Sequence, residues 1–176
     1  MRTKNIIYIG VLVAQALVLY TVERFIPSPF MIPGAKLGLS NLIVVIGLYT
    51  LNNYKECMTL IGLKLLLSTL IMGSLSTFLF GLGGTIFSFL GMVLVKEVFK
   101  EKVSCIGVST VGGVFHNIGQ LLVASLVIRN LGIMAYLPFL SLAGIGTGIF
   151  IGITANYILK HMKRIDSRRS ENLFLR

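Results

Sequence analysis

Three polar side chains, His116, Asn117 and Gln120, lie in the middle of an apolar stretch that runs from about residue 104 to residue 128. On a helix that turns by about 100° per residue they fall within an arc of roughly 100°, and Gly112 and Gly113 fall on or beside it. Polar groups in hydrocarbon are costly, so they usually face a cavity, another helix or a substrate path. The spacing therefore favours the polar wall of a ligand cavity. A buried histidine bonded to its neighbours is the alternative.

Lys64 is a second candidate for contact with a ligand, because it lies inside another apolar stretch. A lysine within a membrane span is a functional candidate by default. Its Cα would start only about 10 Å below the cytoplasmic edge of that span, at about 1.5 Å per residue, and its long stem could reach the surface. The sequence leaves both positions open.

A third candidate site follows a proline-rich stretch, residues 27–34, which cannot be helical throughout. Lys36 lies at the expected mouth of the next helix, where unpaired backbone N–H groups and the helix dipole favour anions. Together with Ser40 and Asn41 it predicts a site that receives an anionic group from outside the cell. An interfacial anchor next to an ordinary helix start is the alternative.

Small residues predict close contacts between helices. Gly10 and Ala14 form a pair spaced by four residues, and such pairs let a second helix approach the backbone. Their neighbour would be either a helix of the same chain or another membrane subunit. Gly144, Gly148 and Gly152 also recur every four residues, which predicts a flat ridge that packs against a neighbouring helix.

The groups that would support catalysis are missing from the sequence. Asp166 is the only aspartate, so no aspartate-rich pair is present to hold magnesium and a diphosphate. No phosphate-binding glycine loop and no metal-ligand spacing occur either, and we expect no catalytic residue, metal or cofactor in this chain. Four glutamates lie near helix ends, which predicts that no membrane-buried carboxylate serves as a proton carrier; they are Glu23, Glu56, Glu97 and Glu101.

The elements that must position these residues are membrane helices. Of the 176 residues 55% are hydrophobic and only 12% are charged, whereas a soluble domain carries about a quarter charged residues. The composition predicts one all-α integral membrane domain over residues 1–176, since alternating strands are absent. Six transmembrane helices are expected, followed by a basic tail over residues 160–176; the helices cover about 6–22, 37–51, 57–72, 78–95, 105–128 and 136–159. A turn near residues 73–77 is preferred to one at residues 81–84.

The distribution of Lys and Arg predicts the orientation. Most of the 16 basic residues fall at one set of helix ends, whereas Arg24, Lys36 and Arg129 fall at the other. Cytoplasmic ends carry the excess of basic residues, so both termini are predicted to be cytoplasmic and residues 27–34 to be outside. The net charge of +10 is therefore a topology signal, and we expect membrane lipid rather than nucleic acid around the protein.

Three pieces of the chain resemble a known bacterial family. They are Ile32-Pro-Gly-Ala-Lys-Leu-Gly-Leu-Ser-Asn41, Gly73-Ser-Leu-Ser-Thr-Phe-Leu-Phe80 and His116-Asn-Ile-Gly-Gln-Leu-Leu-Val-Ala124. The family is heptaprenyl diphosphate synthase component I, also called the Gx transporter family. It is in turn similar to the substrate-binding S components of energy-coupling factor (ECF) transporters, which are six-helix proteins of the plasma membrane with both termini inside.

The resemblance implies a function and a set of partners. S components capture a vitamin or related small molecule from outside, with the later helices and the outer loop after the first helix. Gly10 and Ala14 stand where these proteins carry the small-residue motif that docks a transmembrane coupling subunit. Two cytoplasmic ATPases drive that subunit, so ATP would bind only to partner subunits.

The sequence thus carries two main hypotheses. The first is a substrate-binding subunit of a small-molecule importer, with a pocket walled by helices four to six and closed by residues 27–36. His116, Asn117 and Gln120 would give it specificity, and Lys36 with Asn41 would hold a polar or anionic end of a vitamin-like or prenyl- or quinone-related ligand. Lys64 is a further candidate contact. The second is a non-catalytic membrane subunit of a heptaprenyl diphosphate synthase, since a catalytic subunit needs the missing aspartates. A purely structural scaffold is a third reading.

Overall fold

The apolar stretches form helices in the computed structural model, which describes residues 3–26, 37–72 and 74–174. Within those ranges the chain is all-helical and has no strand, as the sequence predicts. Short 3-10 turns at Lys100–Lys102 and Leu131–Tyr136 precede the last two long helices. The six α-helices are α1 (Thr3–Phe25), α2 (Leu39–Thr50), α3 (Tyr54–Met72), α4 (Leu75–Phe99), α5 (Cys105–Ile128) and α6 (Leu137–Phe174).

Four of these helices are long and apolar enough to cross a membrane, by length and composition. They are α1, α4, α5 and α6, and they indicate a membrane protein. Helix α2 has only 12 residues, about 18 Å at about 1.5 Å per residue, which is short for a hydrocarbon core of about 30 Å. Helix α3 has 19 residues but carries Lys55, Glu56 and Lys64. The sequence therefore predicted six membrane spans, whereas four of the described helices have the length and hydropathy of a span.

The ends of several helices depend on local hydrogen bonds. The Ser74 hydroxyl accepts a hydrogen bond from the backbone N–H of Thr77, so α4 begins at Leu75, within residues 73–77 that were expected to form the turn. Residues 81–84, the rival turn, lie inside α4. Ser104 caps α5 in the same way, through the N–H of Gly107. Helix α6 continues well past residue 159, because nothing in the basic segment that we expected to be a tail breaks the helix.

Glycines bring α5 into close contact with helices on both sides of it. A Cβ atom on Gly119 would lie 2.4 Å from the Gly83 carbonyl oxygen of α4. On the other side, a Cβ on Gly113 would lie 2.4 Å from the Gly144 carbonyl oxygen of α6, and one on Gly148 would lie 2.6 Å from Thr110 Cα. The predicted glycine ridge of α6 thus packs against α5, and α5 is held between α4 and α6.

The first three helices form the other part of the bundle. Helix α2 lies in its centre and is buried on nearly every side, which fits a helix that is apolar all round. Hydrogen bonds join the ends of these helices: Tyr8 donates to Thr50 at 3.1 Å, and Asn5 donates to Glu56 at 2.7 Å. Glu56 lies in the first turn of α3, near a helix end as the sequence indicated, but it is buried there.

Gly10 and Ala14 lie on an exposed face of α1. A Cβ atom added to Gly10 would meet no described atom within 4 Å. The sequence offered a contact of Gly10 and Ala14 with another helix of the same chain, and the described helices do not make that contact. The other interpretation, contact with another membrane subunit, stays a prediction.

Candidate functional site

A cavity of about 340 Å³ lies between the helices, and each of the six helices contributes to its lining. The sequence placed its walls in helices four to six, but α1, α2 and α3 also take part. The reason is that α2 packs against α6 and α3 packs against α4, so the first three helices close one side of the cavity. The polar lining residues are Tyr20, Glu23, Ser40, Asn41, Lys64, Ser68, Thr69, Thr77, Thr85, Ser88, Ser109, His116, Asn117, Gln120 and Thr147.

Lys64 lines this cavity and is only 8% exposed, so its side chain does not extend to the surface. Its ammonium donates a hydrogen bond of 2.8 Å to the Asn41 side-chain oxygen. Helices α2 and α3 run antiparallel, which brings two residues together that are 23 positions apart in the sequence. The structure therefore decides between the two positions that the sequence left open for Lys64, and it joins Lys64 to Asn41.

Glu23 is a residue of the cavity that the sequence analysis missed. Its carboxylate accepts a hydrogen bond from the backbone N–H of Gly38, the residue before α2, whose φ of 72° is in the left-handed region. The bond turns the carboxylate toward the bundle. Tyr20 and Glu23 both line the cavity, and their spacing of three residues on α1 was the signal that could have identified this face.

The polar residues of α5 lie together on the cavity, as their spacing predicted, but they differ in what they contact. The imidazole of His116 packs on Gly84 of α4, where a Cβ would come within 2.8 Å of the ring. Asn117 donates a hydrogen bond of 2.6 Å to the Leu140 carbonyl oxygen of α6. Gln120 lines the cavity and makes no hydrogen bond with any described residue. Asn117 therefore joins two helices, whereas the Gln120 amide is available to a ligand.

Buried hydroxyl groups make up much of the remaining polar lining. Ser40, Thr85, Ser88 and Ser109 come from three different helices, and each is less than a tenth exposed. Among the described residues their hydroxyls have no hydrogen-bond acceptor or donor. A hydroxyl can both donate and accept, and these hydroxyls line the cavity, so they favour a polar ligand or water in it.

Other predicted site residues are not tested by this geometry. Lys36 and the segment of residues 27–36 that was expected to close the pocket lie outside the described residues. The described part of the chain contains no group of three His, Cys, Asp or Glu side chains that could hold a metal ion. The polar and charged side chains of the cavity lining can recognise a ligand by hydrogen bonds and charge.

The family comparison covers the whole of this cavity. The family model described as heptaprenyl diphosphate synthase component I matches residues 12–158, and every lining residue falls between Tyr20 and Ile151. The chain belongs to the heptaprenyl diphosphate synthase component I family. No curated protein and no solved structure matches the chain.

Membership in the component I family has two consequences for function. The family is a non-catalytic component, so this member is not an enzyme on its own. A protein called component I also implies a partner component and an association with the membrane. Gly10 lies just outside the segment that matches the component I family, and Ala14 lies inside it.

Proposed function

We propose that this protein is the membrane-embedded, substrate-binding subunit of a bacterial small-molecule importer. Its ligand would enter from outside the cell and bind in the cavity between the six helices. The observation that carries the proposal is the cavity itself, because about 340 Å³ lies within the usual range for small-molecule sites. Its lining combines apolar side chains with a few polar groups that have no bond within the described chain.

The polar lining favours a vitamin-like ligand over a polyprenyl chain. A heptaprenyl chain is a long hydrocarbon without groups that could bond to hydroxyls. It would bury the Ser88, Ser109 and Thr85 hydroxyls without hydrogen bonds, at a cost for each one. A small molecule with several polar atoms would satisfy them. This physical argument supports the importer over a role as a carrier of prenyl chains.

The energy for transport would come from other subunits. The chain offers neither a nucleotide site nor a metal site in its sequence pattern, so ATP would be hydrolysed by cytoplasmic partners. The exposed pair Gly10 and Ala14 on α1 would contact a transmembrane coupling subunit, since small residues let helices approach closely. In this proposal both termini face the cytoplasm, all six helices cross the plasma membrane and the basic C-terminal segment lies inside.

We expect a small polar metabolite to co-purify with the wild-type protein in lipid nanodiscs and to be lost in Ser88→Phe. Ser88 is buried on the cavity wall, and a phenyl ring there would occupy the space of the ligand. Bound molecules are extracted and identified by mass spectrometry. Cells that express the wild-type protein are then expected to accumulate the same compound, isotopically labelled, faster than cells that express Ser88→Phe.

Ser76→Phe is the matched control, because Ser76 is exposed on α4 and does not line the cavity. Thr147→Met offers a second way to fill the cavity if Ser88→Phe does not elute as a single species. A wild-type protein that carries no small molecule, or labelled uptake that does not depend on the cavity, would contradict the proposal.

The orientation has its own expected result. Green fluorescent protein fused after residue 176 is expected to fluoresce, and alkaline phosphatase fused at the same point is expected to be inactive. The reason is the excess of Lys and Arg at that set of helix ends, which holds them in the cytoplasm. The opposite pair of results would place the C-terminus outside and reverse the proposed direction of ligand entry.

A further inference from the structure

The Lys64 ammonium has no anionic group of the described chain in direct contact with it. Its side chain is 8% exposed and lines the cavity. Its ammonium has three N–H donors, and the one bond that it makes within the described chain goes to the neutral amide oxygen of Asn41. Glu23 lines the same cavity and attracts this charge, but its carboxylate accepts the Gly38 N–H and makes no ion pair with Lys64. Buried charges are normally paired, because removal from water costs more than one neutral hydrogen bond returns.

Lys96 shows how the same protein holds a lysine for a structural purpose. Its ammonium donates to the Leu48 carbonyl oxygen at 2.8 Å and lies 4.8 Å from the centre of the Tyr49 ring and 5.5 Å from that of Tyr54. Carbonyl oxygens and aromatic faces both stabilise a cation. Lys96 does not line the large cavity, so contacts within the chain account for it. Lys64 has no comparable set of contacts.

We propose that the ligand carries an anionic group, a carboxylate or a phosphate monoester, that binds against Lys64. This inference rests on the proposed function and names the ligand class of the same cavity. Glu23 lines the cavity too, so a ligand with one anionic group suits the balance of charge better than a diphosphate does. The rest of the ligand bonds to the hydroxyls and to Gln120, and the whole is a water-soluble organic acid.

Lys64→Met tests the assignment, with Lys96→Met as the matched control. Methionine has a similar length and no charge, so each variant removes one ammonium and little volume. The full-length proteins are purified in nanodiscs, the extracted small molecules are quantified by mass spectrometry, and unfolding midpoints are measured by circular dichroism after the extracted ligand has been washed out. The probe is whatever compound the wild-type protein carries from the cell.

We expect the wild-type protein to carry an organic acid and Lys64→Met to hold roughly ten- to a hundredfold less of it, the loss that corresponds to a charge-assisted hydrogen bond. Without ligand, Lys64→Met is expected to unfold near the wild-type temperature, because removal of a buried charge offsets the lost bond to Asn41 and the lost attraction to Glu23. Lys96→Met is expected to keep the ligand and to unfold at a lower temperature. Lys64→Arg, which keeps the charge, is expected to recover part of the binding.

Four results would overturn the inference. A neutral metabolite held equally by wild type and Lys64→Met would leave the importer proposal standing and remove the anion. A lower unfolding temperature for Lys64→Met with unchanged binding would make Lys64 a purely structural link to Asn41. If a phospholipid were the only molecule recovered, Lys64 would bind a lipid headgroup and not a water-soluble organic acid. A wild-type protein without any bound molecule would overturn the importer proposal as well.

Discussion

Gly148→Ala is expected to destabilise the protein by about 1–3 kcal/mol, the usual cost of forcing extra atoms into a packed interior. The added Cβ would lie 2.6 Å from Thr110 Cα and 2.9 Å from the Ser109 carbonyl oxygen. Both are backbone atoms, so they cannot rotate away, and α5 and α6 would have to separate. Unfolding is followed through the reaction of Cys57, which is 1% exposed, with a thiol-reactive dye in a Cys105→Ala background.

Gly62→Ala is the matched control for that substitution. Gly62 lies within α3, and an added Cβ would meet no described atom within 4 Å. Alanine is the better helix former, by about 1 kcal/mol, so this change is expected to leave stability unchanged or to raise it. Gly148→Ala is thus expected to lower the stability of the protein, and Gly62→Ala is expected to keep or raise it. If Gly148→Ala were as stable as Gly62→Ala, the close packing of α5 on α6 would be wrong.

Asn117 and Gln120 are expected to separate into a structural residue and a binding residue. Asn117→Leu removes the hydrogen bond to the Leu140 carbonyl oxygen and is expected to cost about 1 kcal/mol of stability, the scale of hydrogen bonds between membrane helices. Gln120→Leu breaks no hydrogen bond with a described residue, so stability is expected to be kept. It is expected to weaken ligand binding by about tenfold, because a ligand bond of about 1.4 kcal/mol is lost.

The measurement compares unfolding midpoints with the amount of co-purified ligand for both variants. Each serves as the control for the other, because both replace a polar residue on the same face of α5 by leucine. The cavity assignment would be contradicted if Gln120→Leu lowered stability and left the ligand in place. The bond to Leu140 would have no stabilising role if Asn117→Leu unfolded at the wild-type temperature.

These outcomes bear on the two interpretations of the α5 face that the sequence left open. The structure supports part of each, because Asn117 joins α5 to α6 while Gln120 faces the cavity. His116 packs on Gly84 between α4 and α5, where a Cβ atom would displace the imidazole ring. A polar wall and a packing contact are therefore neighbours on one helix face.

The family name indicates a role in isoprenoid synthesis, whereas the cavity favours the import of a small molecule. Component I of a heptaprenyl diphosphate synthase implies a partner component, whereas the ligand that we propose for the cavity is a small organic acid. The predicted ligand would decide between them directly. A soluble acid would make the protein an importer subunit, and a prenyl diphosphate would make it an accessory to isoprenoid synthesis.

Much of the fold could be read from the sequence, because membrane helices obey strong local rules. Apolar stretches of sufficient length, ended by charged residues, predicted the all-α fold. Ser74 and Ser104 cap α4 and α5 through local hydrogen bonds, a signal that the sequence analysis did not use. The 100° spacing of helical residues brought His116, Asn117 and Gln120 to one face without any knowledge of the neighbours. The recurrence of glycine every four residues likewise predicted the ridge of α6.

The tertiary structure alone decided which polar groups share the cavity. Lys64 bonds to Asn41 across 23 positions, and Glu23 reaches Gly38 from the far end of another helix. Such contacts depend on how α2 lies among its neighbours, and no local pattern contains that information. The same holds for Gly10 and Ala14. Their spacing indicates close packing against a helix, but it does not show whether that helix belongs to the same chain or to another subunit. Periodicity determines the face on which a residue lies, and only packing determines what that face meets.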